Sequence, residues 1–179
     1  VARYAAFLRG VNVGRHRRVT KEQLIACFEA AGFQDVTTFR TSGNVIFSVP
    51  RRAAAASITK RCQEGLADGL GYDVTVFVRT AAQLQAIAAL KPFDASAVDA
   101  STGSLQVLLL GGTPTAAAEK MALGLATDDD RLMIEGSELY WLPSGGTLAS
   151  RLDLKAIERA LGTGTMRTKG TMDLVATKC

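Results

Sequence analysis

The 179 residues suffice for one ordinary domain or two small ones, and a chain of this length buries about 70% of its unfolded surface. Apolar residues make up 47% and charged residues 21%, with four prolines, a globular balance that argues against disorder. No apolar run reaches the roughly 18 residues of a membrane span, so no membrane partner is expected. The opening VARYAAFLRG lacks the order of a secretory signal, and three widely spaced cysteines form neither a disulfide framework nor a zinc pattern, which points to reducing cytoplasm.

The net charge of +4 is unevenly placed. Residues 1–21 carry six bases and no acid, residues 22–150 carry nine bases against fourteen acids, and residues 151–179 carry six bases against three acids. Both ends are therefore basic around an acidic middle. A local basic field raises the concentration of phosphate and other anions near it.

The predicted elements follow in chain order. Tyr4–Leu8 is a short apolar run ending at Gly10 and is expected as a buried strand. After an Arg-rich loop, Thr20 and Gln23 form a capping box, and Leu24, Cys27, Phe28 and Ala31 recur at helical spacing up to Gly32. Val36–Phe39 and Asn44–Phe47 bracket the turn Thr41-Ser42-Gly43 as a hairpin. Ala53 to Leu70 is helical, with Ile58, Cys62 and Leu66 on one stripe, and Asp73–Val78 alternates as a strand. The order is β-α-β-β-α-β, a ferredoxin-like unit.

A second capping box, Thr80 with Gln83, opens a helix to about Leu90. Leu105–Leu110 is a strand, Pro114 starts a helix ending near Gly124, and Asp128–Asp130 is expected as a solvated loop. Leu132–Ile134 and Leu139–Leu142 flank a hairpin turn at Glu135–Glu138. A helix near Arg151–Leu161, a Gly/Thr-rich stretch over 162–171 and a last short helix complete the chain. The expected fold class is α+β in two small subdomains, residues 1–80 and 81–179, the second a related mixed α/β unit.

A single histidine, His16, excludes two-histidine metal sites, and nothing places a nucleophile beside it. Cys27 and Cys62 fall on apolar helix stripes, where a buried structural thiol is the default. Neither Gly10–Gly14 nor Gly162–Thr171 carries a dinucleotide or P-loop pattern, so no cofactor and no metal is expected. What these spans offer is backbone amides beside arginines, Arg9 in the first and Arg167 in the second. The strand Asn44–Ser48 lacks the aromatic pattern of an RNA recognition motif, and aromatics are only 6% of the chain. Sequence-specific stacking on RNA is unsupported, while phosphate contact stays open.

The combination of Leu8-Arg9-Gly10-Val11-Asn12-Val13-Gly14, the capped helix ending Gly32-Phe33, and Thr41-Ser42-Gly43-Asn44-Val45-Ile46-Phe47 resembles the DUF1697 family. The similarity continues through Phe77–Thr80, Pro92-Phe93, Glu138–Tyr140 and Thr165-Met166-Arg167. The family is one of unknown function, and the resemblance implies two small α+β subdomains. At the family's C-terminal Thr-x-Arg-Asn-Trp-x-Thr pattern, Arg167 and Thr171 match, and Thr168 and Lys169 stand at the Asn and Trp positions.

Three functions compete. The first is binding of an anionic ligand, either a nucleotide-like small molecule or a nucleic-acid backbone, through Arg9, Asn12, Gly14, Arg17, Ser42, Asn44, Arg151, Arg167 and Thr171. The second is an enzyme in which Arg9, Asn12, Ser42, Asn44, Arg151 and Arg167 position a substrate and stabilise charge. The third is a protein-interaction scaffold using a sheet edge. The first reading carries a geometric expectation: Arg9, Asn12, Gly14 and Arg17 meet Arg167 and Thr171 on one face, with Ser42 and Asn44 beside them.

Overall fold

The structure is a computed structural model that describes residues 1–12, 18–40 and 43–179. These residues divide into two compact units, the first Val1–Ile87 with Asp173–Cys179 and the second Ala88–Met172.

In the first unit the elements are β1 (Ala2–Arg9), α1 (Lys21–Ala30), β2 (Gln34–Thr38), β3 (Asn44–Val49), α2 (Ala55–Leu70) and β4 (Thr75–Thr80), followed at once by α3 (Ala81–Ala89). The β-α-β-β-α-β order read from periodicity is the order observed. The sheet runs β2-β3-β1-β4 with every pairing antiparallel. Thr20 caps α1 in a full box: its hydroxyl accepts from the Gln23 amide at 3.1 Å, and the Gln23 side chain accepts from the Thr20 amide at 2.8 Å. Gly71, at φ 80°, ends α2 in the left-handed conformation that glycine adopts without a Cβ penalty.

One sheet face presents Tyr4, Ala6, Leu8, Val45, Phe47, Val76 and Val78 to the stripes of α1 and α2, including Leu24, Phe28, Ile58 and Leu66. Cys27 and Cys62 lie in this core, as their stripe positions predicted. The helices approach closely because Gly65 and Gly69 face α1: a Cβ on Gly65 would stand 2.7 Å from the Ala31 Cβ, and one on Gly69 would overlap the Cys27 Sγ.

The second unit opens with α4 (Ala95–Ala100), a short helix that sequence periodicity does not signal. The second unit contains β5 (Gln106–Leu110), α5 (Ala116–Leu123), β6 (Asp130–Glu135), β7 (Glu138–Pro143), α6 (Leu154–Leu161) and β8 (Gly164–Thr168). The last helix, α7 (Lys169–Lys178), follows β8 at once and its residues from Asp173 count with the first unit. The second sheet runs β6-β7-β5-β8, again fully antiparallel. Element for element, this repeats the first unit, with β5 in the place of β1 and β8 in the place of β4. Its core gathers Trp141, Leu139, Ile134 and Ile157.

Two local readings differ from the structure. The Gly/Thr-rich stretch contains a strand, β8, because Gly164 lets its backbone approach β5 where a Cβ would stand 2.8 Å from the Leu109 carbonyl oxygen. Asp130 is not part of a solvated loop: it opens β6 and is 1% exposed. No helix among the described residues is long and apolar enough to cross a membrane.

Candidate functional site

The loops around the N-terminus of α1 form the first group of predicted site residues. Arg9 ends β1 and is exposed. Gly10, at φ 78°, and Asn12, at φ 59°, turn the chain out of the strand through left-handed conformations. The Asn12 Oδ1 then accepts the Val19 amide at 2.9 Å and draws the two ends of the β1–α1 loop together. Gly14, Arg17 and Ser42 lie outside the described residues, as does His16.

The β2–β3 turn packs against this loop. The Leu8 amide donates to the Gly43 carbonyl at 2.8 Å, and a Cβ on Gly43 would stand 2.6 Å from the Val11 Cγ2. Asn44 is fully buried, and its Nδ2 donates to the Phe39 carbonyl at 2.9 Å while the Phe39 amide donates to the Asn44 carbonyl at 2.9 Å. Asn44 therefore ties the turn that presents Arg40, itself left-handed at φ 57°.

Between these loops lies a cavity of about 330 Å³ lined by Asn12, Val19, Lys21, Leu24, Thr38, Arg40 and Gly43. Its described lining holds two cations, Lys21 and Arg40, and no carboxylate. Sequence reasoning missed both cations; the usable signal was their placement, Lys21 directly after the helix cap and Arg40 directly before the Thr-Ser-Gly turn. A larger groove of about 580 Å³ runs between α1 and α2 past Ala26, Ala30, Gly65 and Gly69. It mixes Arg61 with Glu64 and Asp68, and the Arg61 Nε is already held by the Ala31 carbonyl at 2.7 Å, so it reads as a product of close helix packing.

In the second unit, Arg151 is exposed and lines a polar cavity of about 360 Å³ with Asp128, Asp129, Ser144, Gly146 and Ser150. At its base the Asp130 carboxylate accepts from the Trp141 Nε1 at 2.7 Å, the Ser150 hydroxyl at 2.7 Å and the Thr127 hydroxyl at 2.6 Å. Burial opposes ionisation of Asp130, but the three hydrogen bonds outweigh it and hold the carboxyl below its ordinary range. This node anchors the only tryptophan of the chain and the loop after β7. Among the described residues, no group of three or more His, Cys, Asp or Glu side chains could hold a metal ion.

Arg167 is half-buried on β8, where its Nη1 donates to the Thr165 hydroxyl at 2.9 Å and the Met166 carbonyl at 2.8 Å. Burial pulls its guanidinium down to about 10, so it stays charged at neutral pH. Thr171 is buried, and its amide donates to the Thr168 hydroxyl at 3.2 Å, capping α7. The first unit contains the counterpart. Arg79 pairs with Ala5 as Arg167 pairs with Val107, and its Nη1 donates to the Val78 carbonyl at 3.0 Å. Thr80 caps α3 as Thr168 caps α7. The Arg-Thr pair at this strand-to-helix corner, Arg79-Thr80 and Arg167-Thr168, recurs in both units, with Thr171 at the position of Gln83. Arg9, Asn12 and Asn44 belong to the first unit, and Arg151, Arg167 and Thr171 to the second.

Fold and loops define an α+β protein built from two β-α-β-β-α-β units, the first with a cation-lined cavity at its β1–α1 corner. The model of the family described as "Protein of unknown function (DUF1697)" matches residues 1–140, and the chain belongs to that family. No curated protein matches the chain. Among solved structures, a conserved bacterial protein, SP0830 from Streptococcus pneumoniae, is similar in fold at 17% sequence identity with a TM-score of 0.70, covering 98% of this chain and 97% of that one.

Proposed function

We propose that the protein binds a phosphate-bearing ligand, a nucleotide-like small molecule or a nucleic-acid phosphate, at the cavity beside the N-terminus of α1. The observation that carries this reading is the lining of that cavity, which holds Lys21 and Arg40 without a carboxylate among its described residues. Lys21 is the first residue of α1, where the helix macrodipole disfavours a cation by about 0.3–1 kcal/mol. An anion seated between Lys21, Arg40 and the helix end offsets that cost and gains from both charges. Leu24 and Val19 supply an apolar wall on which a ring or sugar can rest. The sequence between Asn12 and Val19 contains Arg15, Arg17 and Arg18, of which Arg18 is described and exposed. All three cysteines are free thiols, which supports a reducing, cytoplasmic setting for this activity.

The test is thermal unfolding with and without inorganic pyrophosphate. Binding to the folded state alone stabilises by about 2.7 kcal/mol at a hundredfold excess over Kd. Wild type should gain Tm, Lys21→Ala and Arg40→Ala should each gain less, and the double variant should gain none. Equal stabilisation of wild type and double variant overturns the proposal.

A further inference from the structure

A second feature of the first unit shares Arg40 with the cavity. The Phe39 ring is half-buried, and two cations sit over it: the Arg40 guanidinium and the Lys178 ammonium, each 5.4 Å from the ring centroid. Arg3 meets the same helix end, where its Nη2 donates to the Lys178 backbone carbonyl at 3.1 Å. These residues come from three places in the chain, the β2–β3 turn, the end of α7 and the start of β1. The helix dipole accounts for a cation in the last turn of α7. Arg40 reaches the same ring from the β2–β3 turn. Each cation is attracted to the ring's negative face, and together they make the surface around it positive. The arrangement is what a surface needs to meet an anion that continues past the cavity.

We propose that Phe39, Arg40, Lys178 and Arg3 form a second phosphate-and-base subsite, and that the ligand is a short single strand of nucleic acid. This inference rests on the cavity reading above and extends it. One phosphate occupies the cavity between Lys21 and Arg40, the next meets Lys178 and Arg3, and Arg40 bridges the two. A base stacks on the outer face of the Arg40 guanidinium, which the Phe39 ring backs, a contact that accepts any base. Binding is therefore tolerant of sequence, in keeping with the absence of an RNP-type strand. A free mononucleotide fills only one of the two subsites, so the strand binds more tightly than its monomer.

The experiment is fluorescence anisotropy of a labelled hexanucleotide with the full chain across a salt series. Wild type should bind, with log K falling linearly against log salt. Lys178→Ala should weaken binding several-fold and lower the slope by about 0.7, the loss of one single-strand phosphate contact. Phe39→Leu should weaken binding with the slope unchanged. Inorganic polyphosphate serves as competitor. A Lys178→Ala variant that matches wild type in both affinity and slope overturns the inference. Polyphosphate binding as tightly as the hexanucleotide, with Phe39→Leu without effect, overturns the nucleic-acid assignment. The cavity reading fails separately, as a wild-type chain that pyrophosphate does not stabilise.

Discussion

Asp130 shows how one side chain can organise a corner of the second unit. Its carboxylate is the shared acceptor for Trp141, Ser150 and Thr127; the Trp141 bond is buried, and a buried donor left without an acceptor costs about 1–3 kcal/mol. Asp130→Ala should therefore lower the urea midpoint clearly, and Asp130→Asn, which keeps an acceptor for Trp141, should lower it less. Equal losses would place the cost elsewhere. Because the folded carboxyl holds its proton more weakly than the unfolded one, its stabilisation is complete above about pH 4 and is lost as pH falls through the lower folded value. Wild type should lose stability more steeply than Asp130→Asn in that acid range. Cys62 behaves in the opposite sense. Burial, only partly opposed by the Arg61 charge, pushes its thiol up to about 12. The folded state keeps this proton longer, so the contribution is complete below about pH 8.5 and declines as pH rises, by at most about 1.4 kcal/mol per unit. Cys62→Ala should flatten that alkaline limb; an unchanged limb would show that the thiol does not govern it.

The contact between α1 and α2 is set by glycines on α2. Helix propensity alone would make Gly69→Ala stabilising by up to about 1 kcal/mol. A Cβ there overlaps the Cys27 Sγ, and overpacking of this kind costs about 1–3 kcal/mol, so the net effect should be a loss. Cys27→Ala in the same chain should recover most of it, and additive losses in the double variant would contradict the contact. Cys27→Asp, which buries an unpaired carboxylate, should cost several kcal/mol in melting experiments. These elements were legible in the sequence because their periods are clean. Leu24, Cys27 and Phe28 repeat at helical spacing behind a capping box, and Val74, Val76 and Val78 alternate. β8 was not legible, since Gly164–Thr168 has no alternating apolar residues and is held by its pairing with β5. Asp130 was hidden inside an acidic run whose first two members, Asp128 and Asp129, are exposed.

At the scale of the whole molecule, two units of the same topology carry different chemistry at their loops. The first gathers cations beside α1 and around Phe39, and the second gathers aspartates with Arg151. Of the site residues expected from sequence, Asn12 lines the cavity that holds Lys21 and Arg40. Lys21 and Arg40 escaped notice because their partnership depends on the β2–β3 turn folding back onto the β1–α1 loop through Gly43, a tertiary contact that no local pattern encodes. The most direct measurement is an amide NMR titration of the full chain with inorganic pyrophosphate. Saturable shifts should appear at Lys21, Leu24, Thr38, Arg40 and Gly43, while Gly146 and Arg151 stay in place. Shifts that never saturate at those residues, or that gather around Arg151 instead, would contradict phosphate binding at the α1 corner.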